Sequence, residues 1–116
     1  MPPKRGDLFW VNLDPVKGSE QGGRRPVLVI SRNSINDSLP YVVVLPLSSS
    51  PARLAKPYPS QLVVRARELG MDADGVVMGE QIRNISRERL ERYISHLGDD
   101  VMQKVNELVK VVLALK

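Results

Sequence analysis

Arg25, Ser48 and Glu20 are the side chains whose types could do chemistry together, and Arg25 stands at the end of a loop suited to holding an anion. Gly18-Ser19-Glu20-Gln21-Gly22-Gly23-Arg24-Arg25-Pro26 carries three glycines in nine residues. Such a loop takes positive φ easily and lets its backbone approach a ligand closely. Pro26 then stops it, forcing Arg25 into an extended conformation ahead of the apolar run Val27-Leu28-Val29-Ile30. The guanidinium is always charged, and its fork of N–H donors can grip two phosphoryl oxygens. Ser48 can donate a hydrogen bond to the same oxygens, and N–H groups of the glycine loop can add more. On pKa grounds Glu20 is the better general base if the loop folds inward. Otherwise it is a loop carboxylate paired with Arg24 or with solvent.

The flanking residues must position these groups. Leu8 to Leu13 reads as a first strand, with Phe9, Val11 and Leu13 on one face and Leu8 and Trp10 on the other. Trp10, the only tryptophan, is either ordinary packing or a base-stacking platform, the packing role having the better claim. A second strand runs from Arg25 to about Ser31. Arg32 to Pro40 is polar and turn-rich, a connection rather than an element. Tyr41 to Leu47 is a third strand, with Pro46 marking a bulge or strand end. If these two strands pair antiparallel about a connection centred near Asn36, opposed residues share a constant index sum. Arg25 then faces the neighbourhood of Leu47 and Ser48, so the arginine and the hydroxyl meet at one end of the sheet.

Further on, Pro51 to Pro59 is a proline-broken basic loop containing Lys56 and Tyr58, either a flap over a nucleic acid or a solvated connection. Gln61–Val64 is a short strand. Asp72-Ala73-Asp74-Gly75 lacks the rest of a calcium-loop pattern and reads as a turn into Val76-Val77-Met78. Gln81 to Ile85 continues as a strand whose alternation places Gln81 and Arg83 on one face. Ser86 caps a short helical turn, and Tyr93 to Leu97 is a last strand. Asp99 is the expected N-cap of a C-terminal helix, with Val101, Met102, Val105, Leu108, Val109, Val112 and Leu113 as one apolar stripe. About seven short antiparallel strands and this helix predict a mainly β fold, a small bent sheet or barrel with the helix packed on it.

The chain of 116 residues is read as one domain, 1–116, without repeats or a long linker. Its 42% hydrophobic and 26% charged residues exclude a disordered polymer. A net charge of +4 suits a nucleic acid or an acidic protein without distinguishing them. Cysteine is absent, which removes disulfide and thiolate chemistry and fits a reducing compartment. No apolar run reaches membrane-spanning length and no signal segment opens the chain, so a cytoplasmic protein with no membrane contact is expected. His96 is the only histidine and the carboxylates lack ligand spacing, so no cofactor or metal centre is expected. Nor can one chain assemble a two-histidine acid–base pair, and His96 is assigned a structural or surface role.

The ordered strings Lys4-Arg5-Gly6-Asp7, Leu13-Asp14-Pro15, Gly18 to Gly23 with Arg25 to Ile30, Pro46-Leu47-Ser48 and Glu80-Gln81-Ile82-Arg83 resemble the MazF/PemK family of toxin endoribonucleases. With the final helix, the resemblance covers nearly the whole chain. It implies an SH3-like barrel of the kind shared by MazF and the gyrase inhibitor CcdB. It also implies sequence-specific, metal-independent cleavage of single-stranded mRNA, leaving a 2′,3′-cyclic phosphate and a 5′-hydroxyl. Arg25 and Ser48 match the family's catalytic positions, although threonine usually stands where Ser48 does. Gln81 and Arg83 match positions lining the RNA groove. Gly18, Ser19, Gln21, Gly22, Gly23, Arg24 and Lys56 are further candidate RNA contacts. The implied partners are a second copy of the chain, forming a homodimer with RNA across its interface, and a cognate antitoxin with an acidic C-terminal tail. Two other readings remain open, a CcdB-like inhibitor without enzymatic activity and an RNA-binding module.

Overall fold

A computed structural model describes residues 1–15, 17–18 and 20–116 of the chain. Ser19, one of the candidate RNA contacts, lies outside the described residues. The strands are β1 (Asp7–Asn12), β2 (Arg24–Val29), β3 (Tyr41–Ser48), β4 (Gln61–Val64), β5 (Gly75–Met78), β6 (Arg83–Ser86) and β7 (Leu90–His96). The helices are α1 (Asn33–Ser38), α2 (Pro51–Ala55), α3 (Ala66–Leu69) and α4 (Asp99–Leu113), with 3-10 turns at Gly79–Gln81 and Arg87–Arg89. Neighbours run in the order β4-β5-β3-β2-β1-β7, and β6 also pairs with β3. Every pairing is antiparallel. The result is the expected barrel-like antiparallel core with a C-terminal helix.

Period-two alternation explains how so short a sheet encloses a core. Val11, Leu13, Val27, Val29, Val42, Val44 and Ile85 form one buried cluster drawn from strands and the β1 end, lining the inside of the curl. Leu8, Leu28, Leu45 and Leu47 project from the other face, and Val101, Val105 and Leu108 of α4 bury them. Full burial of one such side chain contributes about 1.5–3 kcal/mol, so both faces of the central strands resist rearrangement. Among the described residues no helix is long and apolar enough to cross a membrane.

Strand β3 links the two halves. β6 pairs with it along Tyr41–Val44 and β5 at Leu47 and Ser48, on the edge away from β2. Pro46 falls in the interval between these partners, so its missing N–H interrupts neither ladder. The strand therefore continues through Pro46 to Ser48 instead of ending there.

Local polar chemistry accounts for the other departures from expectation. Residues 33–38 form α1 rather than a structureless connection. Asn36 is fully buried there, accepting from Ser31 Oγ at 2.5 Å and donating to the Ser31 carbonyl at 3.0 Å. Pro51–Ala55 is helical because Ser50 caps it and Pro51 occupies the first turn, where a missing N–H costs nothing. Helix α3, absent from the sequence reading, stops at Gly70 with φ 66°, a left-handed conformation that favours glycine. Gln81 ends a 3-10 turn and β6 begins only at Arg83, so the two do not share one strand's alternation. β7 begins at Leu90, before Tyr93. Gly98 occupies the N-cap of α4, and Asp99 and Asp100 lie in its first turn, where their charge favours the helix dipole. Ser86 caps the Arg87–Arg89 turn as expected, accepting from Glu88 N.

Candidate active site

Arg25 follows the glycine loop as the second residue of β2, opposite Val11 of β1. The β2–β3 register pairs Val27 with Pro46, Leu28 with Leu45 and Val29 with Val44. Carried two residues further, it sets Arg25 beside Ser48, as the index argument requires. The guanidinium is anchored from both sides. Its Nε donates to the Gly22 carbonyl at 2.8 Å and its Nη1 to the Leu47 carbonyl at 3.0 Å. Desolvation lowers its pKa, and the charge of Asp14 partly offsets that effect. An arginine so shifted remains a cation at neutral pH, and among the described residues its Nη2 donors have no partner.

Ser48 is half-buried at the end of β3. Its Oγ accepts from the Ser50 N–H at 3.1 Å, which leaves the hydroxyl hydrogen to donate. Arg25 and Ser48 line the same cleft, of about 200 Å³, together with Arg24 and Ser49 at the polar rim. The arrangement offers a fixed cation and a hydroxyl donor to one anionic group.

The loop before Arg25 is held by contacts that no short motif reveals. Asp14 Oδ1 accepts from Gly23 N at 2.9 Å, while the Gly23 carbonyl accepts from Leu13 N at 2.9 Å. Gly23 adopts φ 70° and Gly18 φ 57°, conformations that glycine enters without a steric penalty. Arg89 Nη2 donates to the carbonyls of both Asn12 and Asp14 at 2.8 Å. The strand-ending Asp14-Pro15 pair hinted at a turn, but nothing in the sequence linked Arg89 to it.

The remaining candidates are dispersed. Glu20 is exposed, and its Oε1 accepts from Lys17 N at 2.6 Å, so in this conformation it closes a turn. Arg24 pairs with Glu91 at 2.8 Å rather than with Glu20. Gln21 N donates to Gln81 Oε1 at 3.3 Å, bringing those two candidates together. Arg83 pairs with Val44 in the β3–β6 ladder. Lys56 is exposed just beyond α2, near the stack of Arg53 on the Tyr58 ring at 4.0 Å. His96 Nδ1 meets Asp7 Oδ1 at 2.8 Å, beside Gly6 and apart from the cleft residues, which fits its structural assignment.

Residues 4–113 match the family model described as PemK-like, MazF-like toxin of type II toxin-antitoxin system. Endoribonuclease EndoA of Bacillus subtilis (strain 168) is 42% identical over 112 residues, spanning 97% of this chain and 95% of the relative. The crystal structure of MazF (Form-I) from Deinococcus radiodurans superposes with a TM-score of 0.83 at 30% identity, covering 99% of each chain. A MazE-MazF structure (Form-II) from the same organism gives a TM-score of 0.77 at 31% identity, over 100% of this chain and 99% of the other.

Proposed function

The chain belongs to the PemK-like, MazF-like toxins of type II toxin-antitoxin systems, and from that premise we propose that it is a sequence-specific, metal-independent endoribonuclease of single-stranded mRNA. The observation that carries this reading is the shared cleft of Arg25 and Ser48, with the guanidinium held by Gly22 and Leu47. Its relatives include a protein named as an endoribonuclease and one solved as MazE-MazF.

RNA supplies its own nucleophile. The 2′-oxygen bonds to the adjacent phosphorus as its proton leaves, and the bond from phosphorus to the 5′-oxygen breaks as that oxygen takes up a proton. The products are a 2′,3′-cyclic phosphate and a 5′-hydroxyl. Between them lies a phosphorane with additional negative charge on its equatorial oxygens, and stabilising that charge is the protein's main task. Arg25 meets it with its Nη2 donors and a fixed positive charge, and Ser48 adds a hydroxyl donor. Because both are oriented before substrate arrives, little reorganisation accompanies the reaction. For proton removal Glu20 is the candidate base once the Lys17–Glu20 turn opens.

Single strands suit such a reader because their unstacked bases expose their edges. Arg24, Gln21, Gln81, Arg83 and Lys56, with the Gly18, Ser19, Gly22 and Gly23 backbone, are the further proposed RNA contacts. The protein acts as a one-domain cytoplasmic homodimer, and a cognate antitoxin with an acidic tail competes for the basic groove. Purified protein incubated with mixed RNA in chelator tests the reading. Discrete cuts ending in 2′,3′-cyclic phosphate, lost in Arg25→Ala while RNA binding persists, are expected; uncut RNA overturns it.

A further inference from the structure

We propose that the cavity beside Arg25 and Ser48 receives one nucleobase turned out of the RNA strand, with Trp10 as its stacking wall and a rim selective for bases with carbonyl edges. This rests on the endoribonuclease reading. Three observations carry it. First, Trp10 belongs to neither buried cluster. It is half-buried and lines the cavity with Pro26, its partner across the β1–β2 ladder. A tryptophan left out of the core with its ring on a cleft is placed to stack on a planar heterocycle.

Second, the cavity suits a single ring system. Leu47, Leu69 and Met71 continue the apolar wall, and the volume is about 200 Å³, below the ~300 Å³ at which pockets for drug-sized ligands begin. Its depth is limited at Gly75, where even a Cβ would stand 3.1 Å from Leu69 Cδ1 and 3.2 Å from Leu47 Cδ2. Third, the rim is rich in donors. Beside the Arg25 and Ser48 donors that face the phosphate, Arg24 and Ser49 contribute further N–H and O–H groups. The one carboxylate on the rim, Asp74, already accepts from Ala66 N at 2.7 Å and Arg65 Nη1 at 3.1 Å. At the 4-position of a pyrimidine and the 6-position of a purine, uracil and guanine present a carbonyl oxygen to such a rim, whereas cytosine and adenine present an amino donor there. The base next to the scissile phosphate is therefore read as a keto base.

Trp10 is the sole tryptophan, so its fluorescence reports occupancy directly. The probes are four 2′-O-methyl tetranucleotides, of uridine, inosine, cytidine and adenosine; lacking a free 2′-hydroxyl, they bind without being cut, and inosine stands in for guanosine. Saturable quenching by the uridine and inosine probes, at least tenfold tighter than by cytidine and adenosine, is expected. Ala73→Leu, at the exposed rim, should abolish it. In cleavage, Trp10→Ala should lower kcat/KM about 5- to 150-fold, the range worth of one base–aromatic stack. Trp10→Phe should retain the cleavage-site pattern. If RNA is cut but no probe quenches Trp10, the pocket is overturned while the nuclease stands. Equal quenching by all four probes, or quenching that survives Ala73→Leu, also overturns it. Uncut RNA instead overturns the nuclease reading.

Discussion

The guanidinium of Arg25 donates through Nη1 to the carbonyl of Leu47 at 3.0 Å, one residue before Ser48 and across the β2–β3 ladder. The proposed catalytic cation is thus held by the strand that carries Ser48, and a second bond from Nε to Gly22 holds it to the loop. Arg25→Lys keeps the charge but cannot make both backbone bonds and still grip two phosphoryl oxygens. A loss of about 10²–10³ in single-turnover cleavage rate is expected. Thermal unfolding should change little, since the head group is only part-buried.

Ser48 separates hydroxyl chemistry from shape. Ser48→Ala removes a donor to a charged oxygen, a contribution of about 1.5–3 kcal/mol, and should slow cleavage roughly tenfold to hundredfold. Ser48→Thr retains the hydroxyl and restricts its rotamers, so it should keep activity. Rates for the two variants on one RNA substrate make the comparison. Equal losses in both would remove the donor role.

The meeting of Arg25 and Ser48 was legible because it depends only on strand register, which the apolar runs on either side of residue 36 dictate. The barrel with its helix was legible for the same reason: alternation in Leu8–Leu13 and the stripe from Val101 to Leu108 are hydrophobic patterns. Short helices were not. α1 is a polar segment organised by the buried Ser31–Asn36 bonds, and those depend on the tertiary surroundings. α2 carried a Ser-Pro start signal, which the prolines after it obscured. The loop restraints were also hidden, because Arg89 lies 75 residues from Asp14 and no periodicity relates them. The conformation of Glu20, turned toward Lys17, is likewise a local hydrogen-bond choice that residue type does not decide.

Arg89 and Asp14 should act on catalysis through the loop. Arg89→Ala releases the Asn12 and Asp14 carbonyls, and Asp14→Ala releases the Gly23 N–H. Small misplacements of a catalytic group can cost up to about 10²-fold, and a tenfold or larger fall in kcat with less change in KM is expected. Hydrogen exchange at the Gly23 and Leu13 amides should accelerate in both variants. Arg89→Lys, still able to reach a carbonyl, should recover part of the rate. Lost activity with unchanged exchange would argue against the positioning role.

Acid sensitivity should have a contribution from Asp74. Its carboxyl is held below the ordinary value of 3.8, first by the Ala66 N–H and then by Arg65. A carboxylate with a depressed folded pKa contributes stability that is present above its unfolded value and lost as pH falls through the folded one. Asp74→Asn should therefore lower Tm at neutral pH. Wild type and variant should converge as pH falls below about 3.8, which thermal melts between pH 2 and 7 would show. A constant difference across that range would mean that packing, not charge, connects Asp74 to α3.

Gly79 is the tightest backbone approach among the described glycines and the clearest test of how β4 and α4 are held together. A Cβ there would stand 2.5 Å from the Ser60 carbonyl oxygen, 3.0 Å from Val112 Cγ2 and 3.1 Å from Leu108 Cδ2. The first contact is with backbone already receiving the Gly79 N–H at 2.9 Å, so a rotamer change cannot relieve it. Next to it, Glu80 accepts from Ser60 Oγ at 3.1 Å and from Gln61 Nε2 at 2.8 Å, tying the start of β4 to the same turn. Gly79→Ala must therefore push β4 and α4 away from the turn together, at a cost of about 1–3 kcal/mol. A fall in Tm of roughly 5–15 °C is expected. Gly98→Ser is the contrasting variant. A Cβ there meets nothing within 4 Å, and the new hydroxyl can cap α4, which should raise stability by a few tenths of a kcal/mol. Similar melting shifts in both would show that loss of glycine flexibility, rather than the contact with Ser60, governs this part of the chain.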